Sequence, residues 1–244
     1  KSVRIDALKA DLMACRREEK NIVRTEQGKG EVYLTTLFVK ILCIIVNKAA
    51  TFDAEGIGIE MEADKPGWYD ALNGLPGLLG SSLSETLELK RLCVYLLKYL
   101  VDGQSASLPI ELKAFLAELN HHLSSTMEEP LNYWNKANQS KEIYRAQIKS
   151  GVSGKEENIS ARETREFLCP VIIKCEQAVK LCLTKYKTYV TYFINEVSEH
   201  EIDARQQIRV KKFTQTPLPL FLEGFVHALK VEKDTKIYRL VRNS

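Results

Sequence analysis

Apolar residues recur at helical spacing along most of this chain, and this periodicity constrains its fold more than any other feature. An amphipathic helix is predicted over residues 5–24, with Ile5, Leu8 and Leu12 on one face. Similar patterns predict further helices, which cover residues 32–48, 84–100, 108–124, 128–150 and, as one long run, 160–208. Pro170 is expected to kink or break that long run near its start. Only short strands are expected, so the sequence predicts an all-α fold of helical hairpins.

Size and charge narrow the class of protein. The chain has 244 residues, 45% of them hydrophobic and 27% charged, which is typical of a globular protein with a substantial core. We treat residues 1–244 as a single domain or part of one. The net charge of +3 is small and the basic residues are dispersed, so no nucleic-acid partner is expected. The longest apolar stretch, 37–46, is too short to cross a bilayer, so no membrane partner is expected.

The chain ends and the cysteines give two further expectations. The sequence begins with Lys1 rather than Met, and residues 235–244 resemble a strand cut short, so the remainder of a longer chain is expected. The six cysteines form no CxxC pair and mostly lie in apolar helical stretches. That pattern indicates reduced core thiols in a cytoplasmic protein. No histidine is close to a cysteine in the sequence, so neither a metal site nor a cofactor is expected.

The segment 51–82 interrupts the helical pattern and concentrates the residues suited to chemistry. It holds half of the chain's 12 glycines. It also holds Trp68 and four carboxylates, which are Glu60, Glu62, Asp64 and Asp70. Loops of this length are usually functional or disordered, and the aromatic and aliphatic content favours an ordered loop. We therefore place the candidate site there.

These residue types suit the cleavage of a glycosidic bond. That reaction needs a carboxylic acid to protonate the leaving oxygen and a second group that acts as base or nucleophile. Sugars stack their apolar faces on indole rings, and glycines let backbone amides approach a polar ligand. An aspartate has an unperturbed pKa of about 3.9, so a proton donor must have its pKa raised, which burial beside Trp68 would do.

The run from Trp68 to Asn73 (WYDALN) resembles the W-N-D-x-x-N motif of the cellobiose phosphorylase family, glycoside hydrolase family 94. The later Ser84-Glu85-Thr86 and the apolar helix after it resemble the family's G-E-S and following helix. The match covers roughly residues 56–100. It departs from the family at Pro66-Gly67, where the family has Gly-Asp, and at Tyr69, where the family has Asn.

This resemblance implies a fold and a set of roles. It implies an (α/α) toroid of six helical hairpins, incomplete here because only about seven or eight helices of ordinary length fit in the chain. It implies that Asp70 is the general acid and Trp68 the sugar platform. We assign Tyr69, Asn73, Glu60 and Glu85 to substrate binding. Inorganic phosphate would be a co-substrate if the protein is a phosphorylase.

Several acids are candidates for the base or nucleophile that would act together with Asp70. An inverting hydrolase would need a carboxylate base about 6.5–9.5 Å from the acid. Glu223 is a candidate, since it is an acid in an apolar segment beside Gly224. Glu60 and Glu62 are others, and their spacing of two would put them on one face of a strand. Glu85 also fits a helix-capping box with Ser82.

The sequence therefore predicts an enzyme that cleaves a glycosidic bond of an oligosaccharide or glucoside with inversion, either a hydrolase or a phosphorylase. One alternative is a catalytically silent carbohydrate-binding domain. A second alternative is a helical protein-interaction domain that binds partners through the long helix predicted over 160–208.

Overall fold

The fold combines helices with antiparallel sheets. The computed structural model describes residues 5–16, 22–61, 80–124, 129–204, 206, 208–232 and 237. Within these ranges there are seven α-helices and six strands. The helices are α1 (Ala7–Ala14), α2 (Leu37–Ala49), α3 (Leu83–Lys98), α4 (Ile110–Leu123), α5 (Pro130–Gln147), α6 (Ala161–Tyr186) and α7 (Leu222–Glu232). The strands are β1 (Ile59–Glu60), β2 (Gly80–Ser82), β3 (Ser105–Pro109), β4 (Glu156–Ser160), β5 (Tyr192–Ile202) and β6 (Ile208–Pro217).

The predicted all-α fold class is wrong, and so is the (α/α) toroid of helical hairpins. The strands form a four-stranded sheet in the order β1-β2-β5-β6 and a separate β3-β4 pair, and every pairing between them is antiparallel. The chain is therefore an α+β protein. A toroid is built from helical hairpins alone, so a sheet that carries two strands of ten residues or more does not belong to that architecture.

The main error lies in the long helix predicted over residues 160–208. Helix α6 ends at Tyr186, where Lys187 adopts a left-handed conformation with φ 62°. The residues that follow, TYVTYFI, are β-branched or aromatic, and the last three of them form the start of β5 at Tyr192. Pro170 neither ends nor divides α6, which continues through it to a length of 26 residues. The apolar residues that suggested one helix are divided between helix α6 and strand β5.

Two buried clusters hold the elements together. The larger one packs α2 against α3 to α6, and Leu42, Ile45, Leu112 and Phe167 are among its fully buried members. The smaller one includes Phe193 of β5 and joins the sheet to α3, α6 and α7. Burial of apolar surface contributes roughly 25 cal/mol for each Å², so these clusters are the main source of stability.

The strands of the four-stranded sheet differ in length, and the two longest extend beyond the other two on one side of the molecule. Strand β2 pairs with only the first three residues of β5, from Tyr192 to Ile194. Beyond Ile194, β5 and β6 continue together as a two-stranded ribbon as far as Ile202 and Ile208. The ribbon therefore extends past β1 and β2 and forms a wall beside the helices. None of the helices that the structure describes combines the length and apolar character needed to span a bilayer.

Candidate functional site

A cavity of about 1010 Å³ opens between α2, α5, the end of β1 and the β5–β6 ribbon. Its volume is at the upper end of the range of about 300–1,000 Å³ that small-molecule sites occupy. Polar side chains make up much of its lining, together with one indole ring. This combination of size and lining makes it our candidate functional site.

Helix α5 supplies one wall of the cavity through a single face. Trp134, Asn138, Lys141 and Arg145 all line it. They stand at positions i, i+4, i+7 and i+11, which lie along one side of an α-helix. Because Tyr133 and Tyr144 of the same helix are buried in the core, the polar face is turned away from the core and into the cavity.

Helix α2 supplies the opposite wall. Cys43, Asn47 and Lys48 line the cavity, and Thr51 lines it just beyond the end of the helix. The Asn47 amide donates to the Cys43 carbonyl oxygen at 2.9 Å, which fixes its orientation. Lys48 is partly exposed and pairs with Glu85 of α3 at 2.7 Å. The predicted substrate-binding residue Glu85 is therefore joined to the rim of this cavity.

Glu60 is the most shielded carboxyl group in the cavity lining. It ends β1, and only 15% of its side chain is exposed. The indole N–H of Trp134 donates to Glu60 Oε1 at 2.5 Å, and Lys141 Nζ lies 3.8 Å from Glu60 Oε2. Burial raises the pKa of Glu60, the indole donor and the ammonium oppose the rise, and the carboxyl group of Asp53 adds to it. A proton on Glu60 would reside on Oε2, since Oε1 accepts from the indole.

Lys141 stands beside Glu60 and is shielded to a similar degree. Its side chain is 11% exposed, and burial lowers its pKa, while Glu60 and Glu142 act to raise it. A carboxyl that tends to keep its proton thus faces an amine that tends to lose one. Such a pair can donate and accept protons inside a partly closed cavity.

A buried polar network fixes the backbone from which Glu60 projects. Asp53 accepts hydrogen bonds from Ile57 N at 2.9 Å, Gly58 N at 2.8 Å and Ser81 Oγ at 2.6 Å. These bonds hold the turn that leads into β1 and join it to β2. Burial raises the pKa of Asp53, and its hydrogen-bond donors oppose the rise. No Cβ fits at Gly58, where it would lie 2.8 Å from Ser81 Oγ, so the close approach of the two strands requires glycine.

The same network extends to the ribbon. Gln215 of β6 donates to Asp53 Oδ2 at 2.8 Å and to Asn195 Oδ1 at 2.9 Å. Asn195 of β5 in turn donates to Ser81 Oγ at 3.1 Å. Tyr186, the last residue of α6, donates to Gln215 Oε1 at 3.1 Å. The network therefore sets the ribbon at a fixed position relative to β1 and Glu60.

The ribbon completes the cavity. Ile208, Arg209 and Val210 of β6 line it near the tip of the ribbon. Further along the strand, Phe213 packs edge-on against Trp134 with ring centroids 5.1 Å apart. This contact braces the indole ring that holds Glu60.

Most of the residues predicted as the site lie outside the described residues. Asp70, Glu62, Trp68, Tyr69 and Asn73 all fall within 62–79. Met61 lines the cavity, and its N–H donates to Gly80 O at 2.8 Å. The predicted roles of these five residues stay predictions.

The structure brings Glu60 to the cavity wall and Glu85 to its rim, but places Glu223 elsewhere. Glu223 lies in the first turn of α7 and accepts a hydrogen bond from the Tyr192 hydroxyl at 2.6 Å. It also lies 3.7 Å from His227, which contacts Glu88 of α3 at 2.7 Å. The described residues that line the cavity do not include Glu223. A carboxylate in the first turn of a helix also interacts favourably with the helix dipole.

The predicted capping box between Ser82 and Glu85 does not form. Ser82 does precede the first residue of α3, but its side chain makes no capping hydrogen bond. Ser82 is buried in β2, and Glu85 reaches to Lys48. Ser82 pairs with Tyr192 through the strand backbone, and its buried hydroxyl makes no hydrogen bond with the described residues.

Sequence reasoning missed the two residues that hold Glu60. The candidate residues taken from the sequence include neither Trp134 nor Lys141. The signal that identifies them is a helix with a polar face that carries one indole, an amide and two cations at helical spacing. That face alone does not reveal its partner, because Glu60 is 74 residues away in the sequence from Trp134.

Within the described ranges, no group of three or more His, Cys, Asp or Glu side chains is placed to hold a metal ion. The polar groups at hand are carboxyl, ammonium, amide and indole N–H, which suit hydrogen bonding to an organic ligand.

The chain matches no protein-family model and no curated protein. Together with the antiparallel sheets, this finding corrects the assignment to the cellobiose phosphorylase family, which is wrong. The likeness had been drawn from a short motif, most of which lies outside the described residues.

Proposed function

We propose that this chain is a carbohydrate-active enzyme that cleaves a glycosidic bond of a sugar bound in the cavity. The observation that carries the proposal is the environment of Glu60, a shielded carboxyl held by the Trp134 indole beside Lys141 on the wall of a large polar cavity. Glycosidic cleavage depends on a carboxyl group that keeps its proton near neutral pH.

The rest of the lining supports a ligand rich in hydroxyl groups. Asn47, Asn135 and Asn138 line the cavity. Each amide both donates and accepts hydrogen bonds, which matches hydroxyls that do the same. A purely apolar ligand that covered the half-buried Asn47 and Asn138 would exclude water from these amides, at a cost of about 1–3 kcal/mol for each group left unpaired.

In the proposed reaction, Glu60 Oε2 donates a hydrogen bond to an oxygen of the bound sugar. Asp70 keeps the role that the sequence predicted for it, as the general acid. The bond is broken either by water or by inorganic phosphate, and these two acceptors distinguish a hydrolase from a phosphorylase. The six free cysteines support a cytoplasmic location as part of the proposal, since disulfides are rare in that compartment.

The test uses the whole chain with a panel of glucosides and oligosaccharides, assayed with and without phosphate. We expect turnover by the unaltered protein. Glu60→Gln should lower kcat/KM by about tenfold or more, because an amide N–H is a weaker hydrogen-bond donor to the sugar oxygen than a carboxylic acid, and tenfold corresponds to about 1.4 kcal/mol. Asp70→Asn should lower kcat by about 100-fold or more on substrates with poor leaving groups.

The matched control is Glu166→Gln on α6, a carboxylate that is 53% exposed and paired with Arg162. This variant should retain full activity. Binding without turnover would select the catalytically silent carbohydrate-binding domain. Neither binding nor turnover across the panel would reject the carbohydrate proposal and favour the protein-interaction domain.

Cys43 offers a direct measure of occupancy, because its thiol lines the cavity. A bound sugar should slow alkylation of Cys43 by iodoacetamide, as followed by peptide mass spectrometry. Exposed Cys169 is the internal reference and should react at the same rate with and without sugar. Equal rates at Cys43 in both conditions would mean that the sugar does not enter the cavity.

A further inference from the structure

We propose that Lys141 is a carbonyl-reactive residue, which forms an imine with an aldehyde that enters the cavity, such as a short hydroxyaldehyde. This inference requires the cavity and its two shielded groups, Lys141 and Glu60. It does not require that the protein cleaves glycosides.

The first support is the position of the amine. Among the described residues, Lys141 is the single buried lysine. The accessible part of its side chain lines the cavity. The nearest carboxylate oxygen in an ion pair, Glu60 Oε2, is 3.8 Å away. The ammonium is therefore neither well hydrated nor held in a close ion pair.

Lys90 shows what a comparably shielded lysine does when it is well paired. Its side chain is 12% exposed, and its ammonium contacts Glu232 at 2.9 Å and Glu176 at 3.2 Å. These two carboxylates outweigh burial and raise the pKa of Lys90. For Lys141 the balance is reversed: burial lowers the pKa despite Glu60 and Glu142, and Arg145 adds to the decrease. A larger share of neutral amine is available at Lys141.

The second support is the neighbouring acid. The neutral amine of Lys141 adds to the aldehyde carbon, and a proton moves from nitrogen to oxygen to give a carbinolamine. The carbon–oxygen bond of the carbinolamine then breaks, and its hydroxyl leaves as water after it takes a proton from Glu60. Loss of the nitrogen-bound proton to the Glu60 carboxylate leaves the neutral imine. Glu60 Oε2 faces Lys141 Nζ, and burial raises the pKa of Glu60, so it can perform both transfers.

The experiment treats the whole chain with glycolaldehyde and sodium cyanoborohydride, which reduces an imine to a stable secondary amine. Peptide mass spectrometry then follows the modification at each lysine over time. At pH 7 we expect Lys141 to be modified at least severalfold faster than Lys90, since burial lowers the pKa of Lys141 while two carboxylates raise that of Lys90, and the amine with the lower pKa has the larger neutral fraction. Equal or slower modification of Lys141 would overturn the inference.

Two variants sharpen the result. Glu60→Gln keeps the shape of the side chain but removes the proton donor, and it also removes a charge that raises the pKa of Lys141. The rate of modification per neutral amine at Lys141, taken from the pH profile of each protein, should therefore fall while that at Lys90 is unchanged. An unchanged rate per neutral amine at Lys141 would contradict the role of Glu60. The rate at Lys141 in the unaltered chain should also reach its plateau at a lower pH than the rate at Lys90, whose pKa two carboxylates raise, and coincident pH profiles would contradict the proposal.

An added methyl glucoside separates this inference from the proposed function. Methyl glucoside has no free aldehyde, so it protects Lys141 only by occupying the cavity. Fast modification of Lys141 that methyl glucoside slows supports both proposals. Fast modification that it does not slow supports the imine and counts against carbohydrate binding, whereas slow modification together with glycoside cleavage overturns the imine alone.

Discussion

The indole nitrogen of Trp134 donates a hydrogen bond to Glu60 Oε1, and the 2.5 Å contact joins the second turn of α5 to the end of β1. It leaves the second carboxyl oxygen of Glu60 facing Lys141. Phe213 of β6 packs edge-on against the ring of Trp134. Three elements distant in the sequence thus meet at one carboxyl group, and the chemistry proposed for the cavity depends on this meeting.

Stability should depend on pH through Glu60. Its pKa in the folded chain is raised, so the protonated form is favoured by folding. The contribution is complete below the ordinary pKa of glutamate and is lost as the pH rises through the folded value. The side chain of Glu60→Gln stays neutral throughout. The free energy of unfolding of this variant, relative to that of the unaltered chain, should therefore increase from pH 4 to pH 8. Urea unfolding at several pH values measures this difference.

The control for that prediction is Glu166→Gln, which removes a carboxylate that is 53% exposed. Its stability relative to the unaltered chain should change little with pH. If the two variants show the same pH dependence, burial does not raise the pKa of Glu60.

Asp53→Asn should destabilise the fold and loosen the turn before Glu60. Oδ2 accepts from Gly58 N, Ser81 Oγ and Gln215 Nε2, and Oδ1 accepts from Ile57 N. An asparagine has one acceptor oxygen, so at least one buried donor would face an NH2 group. We expect a loss of about 1–3 kcal/mol for each donor left unpaired, measured by urea unfolding.

Asp102→Asn is the matched control, because Asp102 is 88% exposed and pairs with Arg165 at the surface. Its effect should be within about 0.5 kcal/mol. A comparable effect of both substitutions would mean that the network around Asp53 does not stabilise the site.

Ser160→Ala should weaken the start of α6. Ser160 Oγ accepts from Glu163 N at 3.1 Å, and Glu163 Oε2 accepts from Ser160 N at 2.8 Å, which together form a capping box. Loss of such a cap costs about 1 kcal/mol. Ser160→Thr keeps the hydroxyl and should retain most of the stability.

The pH dependence of this cap has a definite sign. Hydrogen bonds from Lys113 and Ser160 lower the pKa of Glu163 to about 2. Its contribution to stability is present above the ordinary pKa of glutamate and is lost as the pH falls towards about 2. The difference in stability between the unaltered chain and Ser160→Ala should therefore shrink from pH 5 to pH 2. A difference that is constant over this range would contradict the link to Glu163.

Several helices were predictable because local information is sufficient for them. Helix α2 follows from an apolar run after Thr36, which caps it by accepting from Val39 N. Helix α5 begins at Pro130, a residue suited to a first turn. Strand β5 was missed because its apolar residues continue the helical pattern of α6 without a break. The turn at Lys187, a residue that rarely adopts positive φ, gave no signal in the sequence.

The site was only partly predictable for a related reason. Composition placed chemistry in the segment 51–82 and included Glu60, which the structure puts on the cavity wall. It also included Glu223 as a partner, which the structure ties to Tyr192 and His227 instead. Long-range contacts of this kind depend on which helix face meets which strand, and one sequence does not specify that pairing.

The sequence by itself determined the helices with strong apolar periodicity and the position of Glu60 in an acid-rich segment, because both depend on residues close together in the chain. Only the tertiary structure decided that the fold is α+β and that Trp134 and Lys141 flank Glu60. Strand pairing and the shielding of a charge arise from segments far apart in sequence. Burial is therefore a property of the packed molecule, and with it the pKa shifts on which the proposed chemistry depends.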